Sequence, residues 1–304
     1  MLESAIKRGF VVAFTTRLNA VTFERQQVYK MAYIKKEIKA GRTIEIIKYY
    51  DHSHHPKDIK RERIKKDPER IEKENISKAT KKLTRILNNN FVDGDIYATL
   101  TYKKTKGTTT KSLKEVEKDI KQVINRLRGI YKKNNQSLKY VYVTSLGEGG
   151  KTPHAHIVIN GLDCDYQKTI GLLSDLWLAK EYRGRIKPQS LYSNGQYKEL
   201  AAYIIKNGLE KRRAKESGGK NKRLWTCSQN LEKPKEVKTV IKANRYGQRS
   251  PQPPKGYYLD LDTYKSGCTA AGYPYITYTF IKAPEREYIK GYRPQKDKEG
   301  GYSK

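Results

Sequence analysis

Between residues 76 and 210 the alternation of apolar and polar positions is regular enough to assign elements. Ile76, Ala79, Leu83, Ile86 and Leu87 recur at helical spacing. After Gly94, Ile96, Ala98, Leu100 and Tyr102 alternate with Tyr97, Thr99 and Thr101, the two-residue period of a half-buried strand. Ser112 and Glu115 have the spacing of a capping box. Leu113, Val116, Ile120, Val123, Ile124, Leu127 and Ile130 then mark an amphipathic helix of about five turns. Residues 138–144 are β-branched and aromatic, a second strand. The Gly147-Glu148-Gly149-Gly150 turn leads into a third strand over 154–160, so these two form a hairpin. Asp165 caps a helix carrying Ile170, Leu173, Leu176 and Trp177, a fourth strand follows over 185–192, and a last helix runs over about 198–207.

The order β-α-β-β-α-β is the split βαβ arrangement of ferredoxin-like folds. The expected class is therefore α+β: an antiparallel sheet with helices on one face and its first and third strands side by side at the centre, plus N- and C-terminal extensions. Outside this core the patterning is weaker. Residues 1–50 hold short apolar runs and some strand. Residues 51–75 are densely charged with balanced sign, a solvated helix or linker. Residues 250–256 are Pro-rich, and 273–282 reads as an edge strand. The expected organisation is an N-terminal extension with a charged linker over 1–75, a core over 76–210, a basic loop and C-terminal extension packing on the core over 211–282, and a charged tail over 283–304. No internal repeat is visible.

Charge changes the picture. The chain of 304 residues carries 64 Lys and Arg against 32 Asp and Glu, a formal net charge of +32. An excess of this size implies a polyanionic partner, because cationic side chains displace counterions from phosphate. A membrane surface is the other polyanion, but no apolar run reaches the roughly 18 residues of a spanning helix, and the early run at 10–14 is too short for a signal-peptide core. The expectation is a cytoplasmic protein without membrane partners. Three cysteines, Cys164, Cys227 and Cys268, form no CxxC pair and support neither a zinc ribbon nor a disulfide framework. Tyrosine is abundant, 24 residues against 5 Phe; such rings stack on bases or simply replace Phe in half-exposed strands. Residues 211–223 hold seven basic residues and one acidic, either a phosphate-contacting loop or a solvated one.

Candidate chemistry is confined to few residues. Of five histidines, His154 and His156 lie two apart on a strand and so share a face, while Ala155, Ile157 and Ile159 face the other way. Two imidazoles on a rigid strand are half of a divalent-metal site; a pair of structural histidines is the competing explanation. His52, His54 and His55 precede Pro56 with no apolar alternation after them, a poor metal motif. About fifty residues beyond the strand pair, Tyr203 and Lys206 lie three apart on a helix and share a face. A phenol can attack phosphorus, and an ammonium beside it can stabilise developing negative charge. Tyr197, six residues away, lies well off from Tyr203 on that helix, so one catalytic tyrosine is expected. Gly147 to Thr152 imitates a phosphate-binding loop, but Ser145 stands where Gly is required and a strand follows instead of a helix; no ATPase is expected. A histidine-triad hydrolase is excluded by Val158.

Three segments occur in order: Tyr97-Ala98-Thr99-Leu100-Thr101-Tyr102, then Thr152-Pro153-His154-Ala155-His156-Ile157-Val158-Ile159, then Tyr203-Ile204-Ile205-Lys206. On these the chain resembles the HUH endonuclease superfamily, the rolling-circle replication initiators of phages, plasmids and related elements. The segment from Leu224 to Leu231 and the later Pro253-Pro254-Lys255-Gly256-Tyr257-Tyr258 are similar to the phage- and plasmid-type proteins of that group. The resemblance implies Mg²⁺ or Mn²⁺ held by His154 and His156, a Tyr203 nucleophile that forms a 5′-phosphotyrosyl link, and a Lys206 that orients or stabilises it. Such proteins often carry Glu in a Thr-Glu-x-Gly context before the hairpin as a third ligand. Here Ser145 stands at that place; either Glu148 substitutes from a shifted position, or two protein ligands are completed by water. The candidate DNA contacts are Thr99, Thr101, Lys211, Arg212, Arg213, Lys220, Lys222 and Arg223. The implied function is nicking and rejoining of single-stranded DNA at a replication origin, with a host helicase and polymerase as partners. A transposase or mobilisation relaxase of the same superfamily, or a non-catalytic basic single-strand binder, are the alternatives.

Overall fold

A computed structural model describes residues 33–50, 67–103, 111–147, 152–192, 195–213, 223–241, 251–269 and 272–283. Along the chain run β1 (Tyr33–Ala40), β2 (Thr43–Tyr50), α1 (Pro68–Asn90), β3 (Ile96–Tyr102), α2 (Leu113–Lys133), β4 (Tyr140–Ser145), β5 (His154–Ile159), α3 (Tyr166–Leu178), β6 (Arg183–Ser190), α4 (Lys198–Arg213), β7 (Thr226–Cys227), β8 (Lys235–Ile241), β9 (Tyr257–Cys268) and β10 (Pro274–Lys282). They build an α+β fold on two antiparallel five-stranded sheets.

The first sheet has the order β6-β3-β5-β4-β7. Its first four strands are the split βαβ arrangement, with β3 and β5 adjacent at the centre as the element order predicts. Period-two alternation sends Ile96, Ala98 and Leu100 of β3 and Ala155, Ile157 and Ile159 of β5 to one face. There they pack on Val116, Ile120, Val123, Ile124 and Leu127 of α2 and on Leu173 and Trp177 of α3. The α2 helix begins in a complete capping box, Ser112 with Glu115, and ends in Lys132 and Lys133, which suit the negative end of the helix dipole.

The opposite face of this sheet is also apolar, through Tyr97, Val141, Val143 and Val158, and so it too is covered. Leu83, Leu87 and Phe91 from the α1 region and Ala201, Ile204 and Ile205 of α4 close over it. Helices thus lie on both sides: the α2 and α3 pair expected from the topology, and a second pair that the topology does not specify. The α1 helix begins earlier than its apolar period suggests. Asp67 caps it by accepting from the Glu69 N–H, with Pro68 in the first turn, so part of the charged stretch before Ile76 is a solvated helix.

Inside the first layer Arg183 and Asp119 form a buried ion pair at 3.1 Å, with side chains 3% and 6% exposed. The Tyr182 hydroxyl donates to the same carboxylate at 2.8 Å, and the Tyr102 hydroxyl at 3.1 Å.

The second sheet has the order β8-β1-β2-β10-β9. Here the expectation of an edge strand over 273–282 is corrected: β10 lies between β2 and β9 and pairs with both. Its partners come from distant parts of the chain, so no local pattern marks it as interior. Ile44 and Ile46 of β2 pack with Tyr278 and Phe280 of β10. The two layers meet at α1, where Asn88 Nδ2 donates to Thr43 Oγ1 at 3.1 Å and Arg85 pairs with Glu45 at 2.7 Å. Cys164, Cys227 and Cys268 are all free. No described helix is long and apolar enough to cross a membrane.

Candidate active site

The β3 and β5 strands pair in antiparallel register, Thr99 opposite His156 and Thr101 opposite His154; on the other side of β5, Val143 of β4 lies opposite His156 and Ser145 opposite His154. Residues directly opposite share a face. The histidines therefore sit in two short rows, Thr101-His154-Ser145 and Thr99-His156-Val143, on the sheet face that α4 covers. Their rings are 4.9 Å apart at 79°, so the pair shares one side of the sheet as period two predicts.

Each ring is oriented by a hydrogen bond at Nδ1. His154 Nδ1 donates to the Thr152 carbonyl at 2.7 Å. His156 Nδ1 lies 2.7 Å from Tyr97 Oη and 3.0 Å from Thr99 Oγ1. His156 is 2% exposed, and its Nε2 meets no partner in hydrogen-bonding geometry. A buried nitrogen without a partner is rare; it is what a lone pair kept for an electrophile looks like. Burial, with His154 adding to it and the nearby Asn207 side chain opposing, pushes the His156 pKa down to about 4, so the imidazole is neutral near pH 7. Burial likewise raises the Tyr97 phenol, with Thr99 opposing and Tyr203 adding, and it stays protonated.

The α4 helix brings Tyr203 over this face. Its ring stands edge-on to His156, centroids 4.9 Å apart at 77°, and edge-on to Tyr97 at 6.4 Å. The helix buries Ala201, Ile204 and Ile205, which leaves Tyr203 at the rim, 46% exposed. Lys206 is also exposed. Asn207 is buried, and its amide donates to the Tyr203 carbonyl at 3.0 Å. Gly208 permits close approach of the next segment: a Cβ there would lie 2.3 Å from the Leu224 carbonyl oxygen. One turn on, Glu210 accepts from the Ser145 hydroxyl at 3.0 Å.

A family model for replication-associated proteins of the ORF2 type matches residues 95–211. No curated protein and no solved structure matches the chain. The matched stretch runs from the start of β3 to the end of α4 and contains both histidines, Tyr97 and Tyr203. It supports a role in initiating replication, and with it an interaction with DNA.

The structure brings His154, His156, Thr99 and Tyr203 together, with Lys206 on the same helix. The Thr101 hydroxyl donates to the Arg185 carbonyl at 2.9 Å. Arg223 is exposed just before β7. Glu148, Lys220, Lys222 and the second histidine group at 52–55 lie outside the described residues, as do the side chains of Lys211, Arg212 and Arg213. Among the described residues no three His, Cys, Asp or Glu side chains stand together in positions to hold an ion. Tyr197 is buried, and its hydroxyl donates to Asp93 at 2.9 Å; it is structural. Sequence reasoning missed Tyr97, Asn207 and Glu210. Tyr97 carried a signal, since it lies two residues before Thr99 on the histidine face. Asn207 and Glu210 follow Tyr203 by four and seven, the spacing of one helix face.

Proposed function

We propose that the protein is a metal-dependent nickase of single-stranded DNA that acts through Tyr203 and starts rolling-circle replication. The observation carrying this reading is the placement of the half-exposed Tyr203 ring against His156, beside His154, on one sheet face. The two imidazoles fit Mg²⁺ or Mn²⁺ in one specific respect: with Nδ1–H donated to Tyr97 and to the Thr152 carbonyl, both Nε2 lone pairs are available, and the His156 one is buried without a partner. When bound there, such an ion would polarise the scissile phosphate as a Lewis acid.

The chain's own residues supply the rest. The Tyr203 oxygen attacks phosphorus, the Oη–P bond forms, and the P–O3′ bond breaks. The phenol loses its proton and the departing 3′-oxygen takes one up, so the step is a transesterification that consumes no water. Because the ester retains the bond energy, the reverse attack by a 3′-hydroxyl rejoins a strand. Lys206 places positive charge beside the phenolate and the phosphorane. Tyr97 and Thr99 hold the His156 ring. The free 3′-hydroxyl would prime a host polymerase, with a host helicase separating the duplex. Exposed cations and tyrosines suit a single-stranded partner.

The test is incubation of the full chain with random single-stranded oligonucleotides and Mn²⁺, followed by denaturing electrophoresis and mapping of the linked nucleotide. The expected product is a 5′-phosphotyrosyl adduct on Tyr203 with a free 3′-hydroxyl on the released fragment. An adduct on another residue, or binding without any adduct, would overturn the reading.

A further inference from the structure

Two neutral imidazoles are an incomplete site for a hard cation. Mg²⁺ and Mn²⁺ prefer oxygen ligands, usually with at least one carboxylate, whereas a site of nitrogen donors alone favours softer metals such as Zn²⁺ or Cu²⁺. The β4 position directly opposite His154 is where a side chain could complete the site from the sheet. It is Ser145, fully buried. Its hydroxyl is already committed: it donates to Glu210 Oε2 at 3.0 Å and accepts the Gly147 N–H at 3.0 Å.

That commitment fixes where Glu210 lies. Cross-strand neighbours hold their Cβ atoms about 4.5–5.5 Å apart, so a carboxylate held by Ser145 is held beside His154. The helix geometry agrees. Tyr203 and Glu210, seven residues apart on α4, are separated by about 10 Å along the axis. Tyr203 meets the His156 end of the strand pair and Glu210 reaches the His154 end. One carboxylate oxygen is bonded to Ser145 and the other is left for a second partner. The unpartnered, buried Nε2 of His156 independently points to an electrophile on the same face.

We infer that Glu210 is the anionic metal ligand of this site, delivered by the nucleophile's own helix and steered by the Ser145 hydroxyl. This rests on the metal-dependent reading above and assigns its third ligand. As placed, the carboxylate and the two imidazoles do not yet converge, so rotation about the Glu210 side-chain bonds completes the site. The arrangement couples metal binding to the seating of α4, because the residue that ligates and the residue that attacks are two turns apart on one rigid helix.

The test is titration of Mn²⁺ alone into the full chain, read by calorimetry and by the electron paramagnetic resonance of the bound ion, with far-UV circular dichroism as the check of folding. Glu210→Gln is expected to weaken Mn²⁺ binding about ten-fold or more and to shift preference towards Zn²⁺. Glu148→Gln is expected to bind as the parent does. The double variant Ser145→Glu with Glu210→Gln, which returns a carboxylate from the strand side, is expected to recover Mn²⁺ affinity. Parent-like binding by folded Glu210→Gln, while His154→Ala loses the ion, would overturn this assignment and leave the metal reading standing. A loss confined to Glu148→Gln would also overturn it. Absence of Mn²⁺ binding by the parent chain would instead remove the metal reading itself, and this inference with it.

Discussion

The Tyr203 ring stands edge-on to the His156 imidazole, centroids 4.9 Å apart and planes at 77°. The contact puts a half-exposed phenol beside a buried, neutral base that lacks a partner at Nε2. Tyr203→Phe keeps the ring and removes only the oxygen. The covalent DNA adduct should fall by at least about 10³-fold, as when a nucleophile is deleted, while single-strand binding by fluorescence anisotropy stays within about two-fold because the ring and the cationic surface remain. Adduct persisting in the variant would place the nucleophile elsewhere.

Metal removal should separate binding from chemistry. EDTA is expected to stop cleavage and to leave DNA binding in place, and excess Mn²⁺ should restore it. His154→Ala should abolish cleavage without recovery at any tested Mn²⁺ concentration. Full activity in EDTA would show that the imidazoles act without an ion.

Tyr97→Phe deletes one hydroxyl, 2.7 Å from His156 Nδ1. Thr99 can still hold the ring at 3.0 Å, so the fold should lose only about 1 kcal/mol. Mn²⁺ affinity should drop about ten-fold, the usual effect of releasing the group that orients a ligating imidazole. If affinity is unchanged, Thr99 alone sets the ring.

The Arg183 and Asp119 pair predicts a pH dependence of stability. Burial acts to raise the Asp119 carboxyl, but hydrogen bonds from Tyr182 and Arg183 and the charges of Arg183 and Lys111 outweigh it, leaving the pKa below its ordinary value. A depressed acid contributes stability that is complete above the unfolded pKa of about 4 and is lost as pH falls through the folded value. Urea unfolding should therefore show this contribution disappearing only below about pH 4. Arg183→Ala leaves a buried carboxylate without its cation, a loss of about 3–5 kcal/mol near neutrality. It should also move the acid transition to higher pH. An acid transition at the parent's pH would show that the tyrosine hydroxyls alone hold Asp119 ionised.

Gly208→Ala should reverse the usual sign for a helix. Inside a helix Ala is favoured over Gly by about 1 kcal/mol, but here the added Cβ would lie 2.3 Å from the Leu224 carbonyl oxygen. The segment before β7, or α4 itself, has to move. A net loss of about 1–3 kcal/mol is expected, with adduct yield falling at temperatures where the variant remains folded, since α4 carries Tyr203. A more stable variant would show that the 224 segment yields freely.

The elements readable from the sequence were those whose burial follows one strong period. The α2 helix has apolar residues on one stripe and a capping box at its start, so its identity and start could be read directly. The β3 and β5 strands alternate cleanly because one side meets α2 and α3. The second sheet was not legible for the opposite reason. The β1 and β8 strands carry Lys and Glu among their apolar residues, and their pairings join Tyr33 to Ile241 and Lys39 to Lys235, contacts that no window along the chain can contain. The β10 strand read as an edge because its second neighbour, β2, lies far back in the chain.

At the site, the shared face of His154 and His156 was set by the two-residue repeat of a strand, and the helical position of Tyr203 by the apolar pattern around it. Both are consequences of backbone geometry within a few residues, so the chain's order of amino acids determines them before any packing occurs. What only tertiary structure decided is how close those residues come, and which others join them. The approach of Tyr203 to His156, the bond from Tyr97 to Nδ1, and the hold of Ser145 on Glu210 all depend on how α4 lies across β5 and β4. That placement is settled by Ala201, Ile204 and Ile205 packing against Val141, Val143 and Val158, an agreement between side chains far apart in the chain that local periodicity does not record.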